Sequence, residues 1–105
     1  MIVTTSASIA GKKIVRTLGL VSGNIVSCRH LGRDIIAGLR NLVGGEIKEY
    51  TALLQSAREE ALKRMVAEAQ KLGANAVVEV RFATAQVMAG SAEIVAYGTA
   101  VVVED

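Results

Sequence analysis

Cys28 and His30 are the single cysteine and the single histidine of the chain, and they stand two positions apart. Thiolate and imidazole are both good metal ligands, and at the end of a strand positions i and i+2 share a face. A closed structural site takes four ligands, so Asp34, glutamates or residues of another copy would have to complete it. The simpler reading is a cysteine acting as a small buried hydrophobe and an ordinary surface histidine. A Ser/His/Asp arrangement would need the same His30, and no flanking motif supports one.

The remaining chemistry is carried by charge. Arg58, Glu59 and Glu60 adjoin on one helix; they read first as solvated surface, because no nucleophile or second carboxylate is placed by spacing to cooperate with them. Glu79 and Arg81 alternate on a strand. If their face meets another subunit they must be paired, and Arg81 could instead present a planar fork to an anion. Tyr97 sits in an otherwise apolar strand, where its hydroxyl wants a partner if buried. Gly44-Gly45 could cradle an anion ahead of a helix but lacks a longer glycine-rich phosphate pattern, and reads better as a hinge. Arg58, Arg81 and Tyr97 are therefore the candidates for a ligand or composite interface site.

These residues hang on one organising stretch, 44–82. Ile47, Tyr50, Leu54, Ala57, Ala61 and Met65 recur at spacings of three and four, which predicts an amphipathic helix over 46–72. Leu53, Leu62, Val66, Ala69 and Leu72 widen its apolar stripe. Glu46 and Glu49 suit the positive end of the dipole, and Glu59–Lys63 and Glu60–Arg64 have the favourable i,i+4 order. Gly73 is the left-handed stop. At 1.5 Å per residue the helix would run roughly 40 Å, against a radius of gyration of about 13 Å for a compact chain of this size. The rest of the chain must be laid against it.

Met1–Ser6 is a β-prone arm, either frayed or an edge strand given to a neighbour, and a glycine turn follows over 8–13. Residues 14–27 predict a strand with Ile14, Leu18 and Leu20 on one face and Val15, Thr17 and Val21 on the other. Gly19 and Gly23 suggest bulges within it. Asp34 is placed to cap a short helix bearing Ile35, Ile36, Leu39, Leu42 and Val43. Residues 76–88 predict a strand with Val78, Val80 and Phe82 opposite Val77, Glu79 and Arg81. The final strand, 93–103, is apolar on both faces, as strands covered on both sides are. The fold class is α+β: a small antiparallel sheet with one short and one long helix on one face. Helices on one side leave the other to be covered, and the expected cover is another copy of the chain.

Composition narrows the function. With 105 residues the chain is one domain, 51% hydrophobic but only 3% aromatic, with 12 basic and 10 acidic residues interspersed. A nucleic-acid footprint needs a basic cluster or stacking aromatics, and neither is present. No 18-residue apolar run predicts a membrane span, no secretory signal pattern opens the chain, and a single cysteine forms no internal disulfide. The expected setting is cytoplasmic.

The string GGEIKEYTALLQSAREEALKRMVAEAQKLGANAVVEVRF followed by EIVAYGTAVVV, with the IVTT arm and the LGLVSGNIV strand, resembles the YbjQ family, an uncharacterised group labelled heavy-metal-binding. The likeness runs over nearly the whole chain. It implies a dodecin-like subunit in a homopentameric ring, with extra strands assisting assembly. It implies no established activity and no cofactor, and no ligand motif of the family maps onto Cys28 or His30. The leading expectation is a non-catalytic oligomeric scaffold or small-ligand-binding protein, with any pocket at subunit interfaces or in the ring channel. The alternatives are a metal-binding ring using Cys28 and His30, and, behind it, an enzyme with a composite interface site.

Overall fold

The structure, a computed structural model, describes residues 1–27, 48–88 and 91–105. Four strands and one helix follow in the order β1 (Ile2–Val3), β2 (Lys13–Ser27), α1 (Lys48–Lys71), β3 (Ala76–Met88) and β4 (Ser91–Glu104). The short helix expected after Asp34 lies outside the described residues, as do Cys28, His30 and Gly44-Gly45.

The strands form one sheet in the order β1-β3-β4-β2. β4 is the central partner, antiparallel to both β2 and β3, whereas β1 runs parallel to β3. The sheet is thus mixed rather than purely antiparallel, because the arm returns to β3 of its own chain. Strands of 13 to 15 residues stretch the molecule to a radius of gyration of 16.9 Å, well above that of a compact chain of this length.

The helix buries Ala61, Met65 and Ala69 completely, with Leu54, Ala57, Leu62 and Val66 half-buried around them. This is the stripe read from the sequence. Against it lie Val21, Val77, Val80, Ile94, Ala96 and Ala100 of the sheet. A Cβ on Gly23 would press into the backbone of Ala61 and Met65, so that glycine lets α1 lie close on β2; it is not a bulge. The helix covers β2 and β4 and scarcely reaches β3. It stops at Gly73, whose φ is +86°. The Ala74 N–H bonds to Ala69 O at 3.1 Å and the Gly73 N–H to Gln70 O at 3.0 Å, the paired bonds of a Schellman stop. Arg64 meets Glu60 at 3.3 Å as the spacing predicts, but Glu59 takes Gln55 Nε2 (3.4 Å) instead of Lys63.

Two expected face assignments are overturned. In β3, register slips between Val78 and Arg81, and Glu79 adopts φ 54°. The extra residue of this bulge swaps the alternation: Val77 and Val80 share the helix side, while Val78 joins the opposite face. In β2, slips at Ile14/Arg16 and Thr17/Gly19 split the expected face of Ile14, Leu18 and Leu20: Leu18 packs with Val21 under the helix, while Ile14 packs on the opposite face, where Leu20 is 76% exposed.

The helix-free face carries a second core of Ala76, Val78, Val101 and Val103, with Ile9 and Ile14 packed on it. Val101 is 1% exposed. The valine-rich end of β4 is therefore dry within a single chain, because the segment ahead of β2 folds back over it, and its two-sided apolar character calls for no second copy there. Asn75 extends this end of the sheet by side chain: its Nδ2 donates to Val103 O (2.9 Å) and its Oδ1 accepts from the Val103 N–H (2.8 Å).

Candidate functional site

Past Thr99 no described segment covers the helix-free face, and Leu20, Val26 and Tyr97 are exposed there. Register places Ser22, Tyr97 and Arg81 side by side across β2, β4 and β3, and Asn24, Val95 and Ala83 on the next rung. Opposed residues share a face, so the guanidinium and the phenol, two of the three candidates read from the sequence, come together. Arg58 does not join them: it lies exposed on α1, across the sheet.

Arg81 is held by backbone. Its Nη1 donates to Thr5 O and to Val80 O, each at 2.9 Å. The arm that accepts this bond is itself fastened to the bulge: the Thr4 N–H donates to Val77 O, the Val80 N–H to Thr4 O and the Glu79 N–H to Ser6 O, all at 3.0 Å. Glu79 is exposed, so the bulge turns its carboxylate outward and spends its amide on the arm. One nitrogen of the guanidinium is thus committed to carbonyls, while the other two make no protein bond among the described residues, leaving a positive group anchored on an otherwise neutral rung. Tyr97 is 38% exposed and its hydroxyl also makes no protein bond among the described residues. Around them stand Leu20 and Val26, both exposed, and the Asn24–Glu93 pair (Nδ2 to Oε2, 3.1 Å). The arrangement can bind an anion by charge and hydrogen bonds.

A second concavity lies at the opposite edge of the sheet. An open cleft of about 540 Å³ runs between Leu20–Asn24 of β2 and Arg64, Glu68, Lys71 and Leu72 of α1. Its charges are engaged: Arg64 Nη1 donates to Asn24 O at 2.7 Å and Lys71 meets Glu68 at 3.0 Å. Neither the bulge that aims Arg81 nor this cleft was read from the sequence. A charged residue next to a run of valines was the available signal for the first; the second depends on where the helix settles sideways.

As for metal, no three of His, Cys, Asp and Glu converge among the described residues, and Cys28, His30 and Asp34 lie outside them. No described helix is long and apolar enough to cross a membrane.

The whole chain has close relatives. A UPF0145 protein of Pyrococcus furiosus is 60% identical over 104 residues, covering 99% of this chain and 91% of its own. One from Dehalococcoides mccartyi is 56% identical over 104 residues, 99% of this chain and 100% of that one, and one from Methanosarcina acetivorans is 57% identical over 101. Among solved structures, a protein of unknown function from Pediococcus pentosaceus, assigned to the DUF74 family, matches with a TM-score of 0.66. It covers 99% of this chain and 98% of its own at 18% identity, a likeness of fold alone. Residues 1–104 match the YbjQ family, described as "Putative heavy-metal-binding", and the chain belongs to that family.

Proposed function

We propose that the protein is a non-catalytic homo-oligomeric binding protein, a ring whose helix-free faces line a central channel and whose helices lie outside. Its ligand is a small anion held by Arg81 and Tyr97 contributed by several copies. One observation carries this reading: a guanidinium pinned by two backbone carbonyls stands beside an exposed tyrosine on a rung of the sheet that no described segment of its own chain covers. Converging copies would enclose that rung and strengthen its electrostatics by excluding water. The family resemblance supports five copies.

Light scattering of the purified chain at micromolar concentration tests assembly, and a monomer would sink the reading. A thermal-shift series with phosphate, sulfate and nucleotides tests the ligand, since a tight ligand raises the melting temperature by mass action. The rise should disappear in Arg81→Gln. A metal-binding ring through Cys28 and His30 is the second reading, resting on the family description. Elemental analysis of wild type and Cys28→Ser decides it: sub-stoichiometric metal unaffected by the substitution would end it.

A further inference from the structure

The sheet ends in two unequal edges. Among the described residues β2 has a strand beside it on one side only, and so does β3 beyond the bulge, where the arm no longer follows it. Among the described residues neither edge carries the charge or proline that usually protects an exposed edge. Residues 20–27 read LVSGNIVS and residues 82–88 read FATAQVM, without a charged residue in either. The helix is set towards β2, leaving a cleft beneath its side at that edge, while beyond Val80 the helix side of β3 is bare among the described residues. Phe82 lies on that bare side, opposite Ala96 of the core, and is 43% exposed. Leu72, at the mouth of the cleft, is 48% exposed. One edge therefore offers a ledge with a knob, and the other an overhang with a hollow.

The free peptide groups also match. In an antiparallel ladder alternate residues direct both N–H and C=O away from the partner strand. The Asn24 carbonyl takes the Arg64 guanidinium outside the β2–β4 pair, so Ser22 and Asn24 face outward. The Val80 N–H reaches the arm, so Phe82 and Thr84 face outward on β3. Because β2 and β3 both run antiparallel to β4, they point the same way. A rotation about an axis along the strands then lays one copy's β3 parallel to the next copy's β2.

We infer that copies of this chain join head to tail, the β3 edge of one adding to the β2 edge of the next, with Phe82 seated in the cleft beside Leu72 and Arg64. This rests on the oligomeric reading above and names its interface. The docked strand replaces the single bond between Arg64 and Asn24, and the guanidinium is left against an aromatic ring, a favourable pairing. Each copy completes the cleft of its neighbour, and a head-to-tail contact between unlike edges makes a ring when the rotation between copies closes.

Two proline variants test it, since proline at an outward position removes a free donor while sparing the β4 ladder. Ser22→Pro blocks the β2 edge and Thr84→Pro the β3 edge. Each alone should be monomeric by light scattering with an unchanged circular dichroism spectrum, and their mixture should form one-to-one heterodimers. Thr84→Pro assembling on its own, or the folded pair staying apart on mixing, overturns the inference. If either proline prevents folding, Phe82→Ala decides: the concentration at which the ring dissociates should rise about tenfold or more, as for an anchoring aromatic, and an unchanged value overturns the inference. A monomeric wild type sinks the oligomeric reading itself. A wild-type ring that survives both proline substitutions sinks only this interface.

Discussion

The helix-free face of β4 has two halves built from the same kinds of residue and ending in opposite states. At one end Val101 and Val103 are buried beneath Ile9 and Ile14 of their own chain. At the other, Tyr97 is exposed between Leu20 and Val26, which are also exposed. Alternation is identical in the two halves. The difference is the reach of the first twelve residues: the arm is bonded to β3 as far as Val80, catches Arg81 through Thr5, and goes no further. An apolar face is thus a requirement for cover, and the chain can meet it locally. What remains uncovered is where a partner or ligand is to be sought.

A buried charge breaks this comparison most sharply. Val101→Asp should destabilise the chain by about 3–5 kcal/mol, the cost of an unpartnered interior charge, as measured by urea denaturation. Val95→Asp, on the bare half, should cost within about 1 kcal/mol while preventing assembly in light scattering. Equal costs would erase the distinction between the halves. Removing the cover directly is the next test. Ile9→Ala should cost about 1 kcal/mol, from the partial burial of that side chain, and should speed hydrogen exchange at Val101 and Val103 ahead of Val95.

The bulge that divides the halves can be sharpened instead of broken. Glu79 has a left-handed backbone, φ 54°, which suits glycine better than a side chain bearing Cβ. Glu79→Gly should therefore stabilise the fold by about 0.5–1 kcal/mol in the same denaturation experiment, the relief at positive φ outweighing glycine's greater freedom in the unfolded chain. A loss would mean that the glutamate side chain contributes at the bulge.

The smallest effect is electrostatic and lies where the covering segment meets the end of β4. The hydrogen bond from Lys12 Nζ to Asp105 Oδ1 (2.7 Å), together with the lysine's charge, holds the Asp105 carboxyl below its ordinary value. A depressed carboxyl contributes stability above its unfolded pKa, about 3.9, and loses it as pH falls through the lower folded value. The melting temperature of Lys12→Met should sit slightly below wild type at neutral pH, and the two should converge in acid. Both groups face solvent, so the gap should also shrink with added salt.

The sequence alone determined the local architecture. β3 spans the expected residues, the helix presents the expected stripe of Leu54, Ala57, Ala61, Met65 and Ala69, and Gly73 ends it. These follow from periodicity and backbone freedom, which act between residues a few positions apart. Arg81 and Tyr97 were recognisable as polar groups in apolar strands, but not as neighbours. Only the tertiary structure decided which face Val78 and Leu20 occupy, since a bulge reverses alternation wherever pairing across the sheet puts it. It also decided that Asn75 binds Val103 by its amide and that the arm returns to β3. It set the helix towards β2, where Gly23 admits its backbone. Each of these is a contact between residues tens of positions apart, and its energy depends on shapes that neither segment carries by itself.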